Sequence, residues 1–421
     1  MTMYYNIMEN LPQLLLITLV LILLSIFIYI KLAFPFWNTQ PVYHPYDFWR
    51  PLFMSPFRIH SRFHPSMKSK FTYPKEVEIV PFATATEGHK KAFVNLLQCY
   101  SLETENSIFM FHLENLEAYM SGHLFASYLS FFKEMHYKPF HSEVGEVGEA
   151  GEEVGTEIVV SEKPVGCISS RSGNLAIRGH KESIYYIDFV TIARGRDIRD
   201  LSRKLFETHI YKEMLISKME LHTAPIMVSL FRKDLELFSG IVPLSRFSTR
   251  FYELPNNPNY GKKTLPEHVV LLQIDSKNFR DDLWNGIEER FSVVGITDMA
   301  NLLGLIKSGV LMCYVLKKMD SILAIYIFRD TRIMEEGAGC IIELVASWRK
   351  IRSTELFHTG FLLCLGRLSL FRIIKVDGIA DNGELWWGDF RPIGEYISAY
   401  YLYNMVVPWS PIPGSQVFVL F

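Results

Sequence analysis

Residues 11–30 read LPQLLLITLVLILLSIFIYI, with Gln13, Thr18 and Ser25 as the only polar interruptions and no charge. Twenty residues at helical rise match the roughly 30 Å hydrocarbon core of a bilayer, so this run constrains the chain more than any other. A core helix of a soluble protein is seldom apolar on every side. A signal peptide would need a basic leader and a small-residue cleavage site, and neither is present. The expectation is a retained transmembrane helix that meets the membrane through residues 11–30. Residues 1–10 carry only Glu9, whereas Lys31, Arg50, Arg58, Arg62, Lys68 and Lys70 follow the helix. The positive-inside rule then places the N-terminus outside or in a lumen and the large remainder in the cytosol. Cys99, Cys167, Cys313, Cys340 and Cys364 contain no C-x-x-C pair and read as reduced thiols, neither a disulfide framework nor a metal site.

The chain as a whole is rich in apolar and aromatic residues. With 49% hydrophobic and 14% aromatic residues it can build a large core and wide apolar surfaces. A net charge of −2 supplies no field that would draw the whole chain to nucleic acid. Gly-x-x-x-x-Gly-Lys and Gly-x-Ser-x-Gly are absent, which leaves P-loop and serine-hydrolase chemistry without support.

Residues 43–75 are irregular and rich in Pro, His and aromatics, as in an arm packed on a body. VEIVPF predicts a strand and TEGHKKAFVNLLQCYSL a helix starting near Thr86. Residues 143–157, EVGEVGEAGEEVGTE, are an acidic low-complexity loop to which no function is assigned. Then come TEIVVSE, a KPVG turn, GCISS, NLAIRG and SIYYIDFVTIA as strands. An amphipathic helix, DIRDLSRKLFETHIYKEMLISK, follows, with Ile198, Leu201, Leu205 and Ile210 near helical spacing. LHTAPIMVSLF and RFSTRFYEL are further strand candidates, and residues 254–268 form a turn-dense connector. Beyond it the order recurs: HVVLLQI, helical segments to about Lys307, strands VLMCYVLKK, ILAIYIFRD and CIIELVASW, helix TELFHTGFLLCLGRL, then short strands. This alternation predicts a mixed α+β fold of two similar halves with a pseudo-duplicated mixed sheet.

One local pattern bears on chemistry. The strand YYIDFVTI runs through the basic turn Ala193-Arg194-Gly195-Arg196 into a helix, so free N–H groups there, aided by Arg194, Arg196 and Arg199, suit a pyrophosphate. The same pattern also serves as a plain connection, and Asp197 and Asp200 would repel a phosphate.

FWNTQPV, residues 36–42, resembles the Phe-Trp-Asp-Thr-Gln-Pro-Val signature of the N-myristoyltransferase family. IDFVTIARGRDIRDLSRKLF resembles that family's Ile-Asn-Phe-Leu-Cys strand with its acyl-CoA phosphate loop. LHTAP is similar to its Tyr-Thr-Ala-Gly segment, and IGEYISAYYLYN to its Gly-Asp-Gly and Tyr-Tyr-Leu-Tyr-Asn run. The resemblance spans residues 36–421 in order. It implies two fused GNAT-like halves forming one continuous mixed sheet behind the anchor: residues 1–35 as anchor, 36–253 as the acyl-CoA half, and 254–421 as the half with the peptide groove and catalytic terminus.

The resemblance also implies roles. Myristoyl-CoA would be the acyl donor, with no prosthetic group and no metal, and an N-terminal glycine peptide the acceptor. Phe36, Trp37, Asn38, Thr39 and Gln40 would line the acyl-CoA site, with Arg194, Gly195, Arg196, Ile198 and Arg199 on the CoA phosphates. The backbone amides of Phe189 and Val190 would form the oxyanion hole, and the terminal carboxylate of Phe421 would be the base. Asp188, Thr223, Gly394 and Glu395 would contact the acceptor. A monomer without nucleic-acid partners is expected. Departures from the family pattern are an Asp at 188 where it has Asn, Glu395 where it has Asp, a less basic phosphate loop and dissimilar groove strands. Two other readings stay open: an inactive relative that binds lipid or partners at the membrane, and an acyltransferase with another acceptor, such as lysine.

Overall fold

The computed structural model describes residues 2–33, 41–45, 47, 52–53, 55–64, 67–102, 107–139, 158–220, 226–254, 260–275, 277–279, 281–385, 387–388 and 390–421. Phe36, Trp37, Asn38, Thr39, Gln40, Arg50, Thr223 and the acidic loop 143–157 lie outside the described residues.

Helix α1, Thr2–Ala33, contains the apolar stretch Leu11–Tyr29, whose mean hydropathy is 2.7 and no part of which is covered by the rest of the chain. It is one helix long and apolar enough to cross a membrane. The Thr18 hydroxyl donates to the Leu14 carbonyl one turn back at 2.8 Å, so this polar interruption is satisfied within the helix.

The first run of elements is β1 (Val77–Pro81), α2 (Glu87–Tyr100), α3 (Leu113–Met120), β2 (Tyr128–Pro139), β3 (Ile158–Ile177), β4 (His180–Ile192), α4 (Ile198–Glu220), β5 (Ser229–Asp234) and β6 (Ser245–Glu253). The second is β7 (Val269–Ile274), β8 (Val293–Thr297), α5 (Met299–Lys307), β9 (Leu311–Lys318), β10 (Ser321–Glu335), β11 (Gly339–Arg349), α6 (Thr354–Arg367), β12 (Phe371–Asp377), β13 (Arg391–Tyr403) and β14 (Val417–Leu420). In each run three antiparallel strands lead through a helix to a parallel neighbour: β2-β3-β4, α4, β5, and β9-β10-β11, α6, β12. The architecture is mixed α+β, as the alternation predicts.

All of these strands share one sheet in the order β14-β8-β3-β4-β5-β13-β6-β12-β11-β10-β9-β7, with β2 also pairing β3 and β1 beyond it. The strand after each parallel pair crosses over: β6 lies beside β12, and β13 lies beside β5. The two runs are therefore stitched by exchange at the centre of the sheet.

Local chemistry accounts for the element ends. Thr86 caps α2, its hydroxyl accepting the His89 N–H at 3.2 Å, and Ser353 caps α6 through the Leu356 N–H at 3.2 Å. α4 buries Leu205, Ile210 and Met214 against Ile168, Ile187 and Ile192 of the sheet, while Ile198 at its start is exposed and outside that stripe. The expected KPVG turn is not a turn. β3 runs unbroken through it, with Val165 as an extra residue between the pairs Lys133↔Pro164 and Phe132↔Gly166. Proline has no N–H to give to a ladder and is tolerated next to such a bulge.

Candidate active site

β4 loses its register with β3 at one point. Asp188 pairs with Ser169 and Thr191 with Cys167, so Phe189 and Val190 together face the single residue Ile168. Phe189 has φ +56°, a left-handed backbone that a bulky L-residue adopts only when its surroundings impose it. Its ring supplies the constraint, held 5.2 Å from Phe111 and 5.3 Å from Tyr119 between centroids. The backbone thus turns away from the ladder, and Val190 is exposed. The Phe189 N–H donates to Oδ1 of Asp188 at 2.9 Å.

The other Asp188 oxygen, Oδ2, accepts Nη2 of Arg171 at 3.3 Å. Arg171, on β3, has no solvent exposure, and its guanidinium lies 4.8 Å from the Tyr119 ring and 5.3 Å from that of Tyr186. Its Nε and Nη1 have no hydrogen-bond partner. Tyr186 stacks face to face on Phe421, 4.7 Å away and 2° from parallel.

Phe421 is buried because the apolar run Val417–Leu420 adds β14 beside β8, in parallel register from Val417↔Val293 to Leu420↔Ile296. Its ring fills the space over Gly173 and Gly295. A Cβ on Gly173 would stand 2.3 Å from the ring, so β3 needs glycine there to admit the Phe421 side chain. Nη2 of Arg329 donates to the main-chain oxygen of Phe421. Burial acts to lower the Arg329 pKa, but Tyr119, Glu343, Tyr186 and Asp188 around it hold it well above the ordinary value. The structure therefore brings Asp188, Phe189, Val190 and Phe421 into one cluster, with Arg171, Arg329, Tyr119 and Tyr186 as members that sequence reasoning missed.

A charged network adjoins this cluster on the central strands. Arg232 of β5 donates to both oxygens of Asp377 on β12, at 2.5 and 2.9 Å, and through Nε to Asp234 at 2.7 Å. Lys375 reaches Glu343 at 2.8 Å, and Glu343 also lies 3.4 Å from Arg329. Burial alone would raise the Glu343 pKa, yet Lys375, Arg329 and Arg232 bring it down to about 2. The signal for these residues was a charge set inside an apolar strand, as in AIYIFRD, IIELVASW and RIIKVDG.

The basic turn is less available than its composition suggests. Arg196 forms a two-point ion pair with Glu134 at 2.8 and 2.9 Å, and Arg199 pairs with Glu236 at 2.8 Å. Arg194 donates to the Leu102 carbonyl at 3.2 Å, and Asp197 accepts the Asp200 N–H at the helix start. Gly195, at φ +81°, has open space around it. Ile198 is exposed at the mouth of the same turn.

Gly394 and Glu395 lie elsewhere, near the start of β13, by a cleft of about 500 Å³ lined by Arg250, Tyr252, Trp387 and Phe390. Glu395 pairs there with Arg250 at 3.1 Å, both half exposed. Tyr400, the partner of Arg232 across the sheet, is five residues further along β13, roughly 15 Å at strand rise.

The end of the FWNTQPV segment is placed by the end of β13. Asn404 donates its backbone N–H to the Pro41 carbonyl at 2.5 Å, and its side chain bonds both backbone groups of His60 and the Met227 carbonyl. Val42 is buried, and the Tyr43 carbonyl accepts the Val242 N–H at 2.7 Å. Asn404 has φ +66°, a conformation Asn tolerates better than most residues. The two most specific motifs of the sequence thus meet at this residue.

The sequence matches no protein-family model and no curated protein. Its fold is similar to that of solved structures of N-myristoyltransferase from Saccharomyces cerevisiae. One, with bound myristoyl-CoA, superposes with a TM-score of 0.62 at 15% identity over 91% of this chain and 90% of that chain. A second, also with bound myristoyl-CoA, gives 0.62 at 14% identity over 90% and 94%. A third, with myristoyl-CoA and inhibitors, gives 0.62 at 15% over 90% and 92%. At this identity the likeness is one of fold, and it extends over nearly the whole of both chains.

Proposed function

We propose that this chain is a membrane-held acyltransferase that moves a myristoyl group from myristoyl-CoA to the amine of an N-terminal glycine on the cytosolic face. The observation that carries this reading is the bulge at Phe189 and Val190, which takes the Phe189 amide out of the ladder in the same cluster that holds the buried Phe421. The amine attacks the thioester carbon, the amides of Phe189 and Val190 take the developing oxyanion, the carboxylate of Phe421 accepts the amine's proton, and CoA leaves as the thiol. Arg329 fixes the position of that carboxylate. Residues 36–253 hold the acyl-CoA, and residues 254–421 supply most of the peptide groove, with Gly394 and Glu395 at its distal end. Thr223 holds the glycine ammonium, and Phe36, Trp37, Asn38, Thr39 and Gln40 line the donor site. A single myristoyl chain binds bilayers only marginally, so synthesis at the membrane favours retention of the product.

Full-length protein, myristoyl-CoA and glycine-led peptides are the test. The expected result is a peptide mass gain of one myristoyl group that disappears when one or two residues are added after Phe421. No mass gain with any glycine-led peptide would sink the reading.

A second reading is favoured by two observations: the Phe189 amide is occupied by Asp188, and Arg196 and Arg199 are neutralised within the chain. It is a membrane-held lipid-binding module without transferase activity. Thermal stabilisation by myristoyl-CoA without product would establish it.

A further inference from the structure

The amide that acyl transfer needs is already in use. Oδ1 of Asp188 accepts the Phe189 N–H at 2.9 Å, while Oδ2 accepts Arg171 at 3.3 Å. An oxyanion and a carboxylate compete for this one N–H, since each needs its single hydrogen and two like charges so close repel. The resting site is therefore closed to the transition state. Arg171 is fully buried between Tyr119, Tyr186 and Phe189, whereas the Asp188 side chain is 33% exposed. Asp188 is thus the partner with room to turn. The buried Nε and Nη1 of Arg171, still without partners, offer a carboxylate an alternative contact once it leaves the amide.

We propose that Asp188 is a latch on the Phe189 amide and that the ammonium of the incoming acceptor opens it. This rests on the acyl-transfer reading and deepens it: the acceptor binds as an ammonium before its proton is taken, and in that form it draws the carboxylate away, so the oxyanion site assembles only around an unblocked N-terminus. A chain whose N-terminus is already acetylated carries no positive charge there and leaves the latch shut. Asp188 acts here as a positioning residue. The proton still goes to another acceptor, and no bond is made or broken by the latch itself.

The test uses full-length protein in micelles, loaded with a non-reactive thioether analogue of myristoyl-CoA. Binding of a glycine-led peptide is compared with that of its N-acetylated twin for wild type, Asp188→Asn and Asp188→Glu. Wild type is expected to prefer the free amine by about tenfold or more, the size of one charge-assisted hydrogen bond. Asp188→Asn, close in shape but uncharged, is expected to reduce that preference to within about twofold, and Asp188→Glu to restore most of it. Hydrogen exchange over residues 185–192 should speed up with the free-amine peptide and not with the acetylated one. Equal binding of the two peptides by wild type, a preference that survives Asp188→Asn, or exchange unaffected by the free amine would each overturn the latch. The two readings fail separately. An Asp188-dependent preference without product from myristoyl-CoA refutes transfer and keeps the latch, while product formation with Asp188-independent binding refutes the latch and keeps transfer.

Discussion

The two strand-helix-strand crossovers of this molecule share a topology and little else. β4-α4-β5 and β11-α6-β12 each join parallel neighbours through a long helix. Both first strands carry a bulge in their antiparallel pairing, but the one in β4 holds a left-handed Phe189, while the one in β11, at Val345, keeps an ordinary backbone and the strand leads to a Ser353-capped helix. Their helices differ as sharply. α6 buries Phe357, Phe361, Leu362, Cys364 and Leu365, an apolar face throughout. α4 buries Thr208, His209, Glu213 and Ser217 beside its leucine and isoleucine. Topology is thus the shared frame, and chemistry depends on where a strand departs from it.

The charged seam between the crossovers should respond most. Arg232→Met would leave the buried Asp377 and Glu343 without their shared cation, a loss of about 3–5 kcal/mol that thermal melting would read. A fall of under about 1 kcal/mol would mean that Lys375 and Arg329 suffice and that the crossovers are not locked through Arg232.

Next comes pH. Burial pushes the Glu213 carboxyl up to about 8 from 4.5 and holds His209 down at about 3 from 6.5. A raised carboxyl pKa gives stability that is present below 4.5 and lost as pH rises to 8, and a depressed histidine pKa gives stability that is lost as pH falls from 6.5 to 3. The two slopes cancel between 4.5 and 6.5, so stability should be flat there and fall by about 2 kcal/mol between pH 6.5 and 8. Glu213→Gln should remove the alkaline fall in denaturant titrations. An unchanged fall would place its origin in a group other than Glu213.

Paired glycine substitutions sharpen the contrast. Gly173→Ala drives a Cβ to 2.3 Å from Phe421, and Gly360→Ala on α6 drives one to 2.5 Å from the Tyr326 hydroxyl. Both should cost about 1–3 kcal/mol. Only Gly173→Ala should also lower acyl transfer per folded molecule, because it alone displaces Phe421. Equal activities would break the assignment of chemistry to the first crossover.

The smallest effect belongs to the basic turn. Arg196→Ala removes a partly exposed pair with Glu134 and should cost under about 1 kcal/mol. If it instead weakens acyl-CoA binding more than tenfold, the Glu134 pair opens for the donor.

Much of this was legible in the sequence. Apolar run, alternation and cap residues marked α1, β1, α2 and the recurring order, because each is a local property. KPVG looked like a turn because a proline and a glycine normally end a strand, and only the bulged pairing with Lys133 shows why β3 continues. Ile198 fitted the spacing of an apolar face yet is exposed, since the helix begins beyond the edge of what it covers. Asp188, Phe189 and Phe421 were found through a resemblance. Arg171, Arg329 and Arg232 were not, because their partners are 17, 92 and 145 residues distant, and no local pattern encodes pairings of that kind.

Asn404 has a mechanical consequence. Pro41 is fastened to it, and Ala33 ends α1 only eight residues earlier, a span of at most about 28 Å when fully stretched. With α1 in a bilayer, the membrane lies within that distance of the end of β13, the strand that carries Tyr400 at the middle of the sheet. Separation from the bilayer is then bounded at the centre of the sheet and not at its edge.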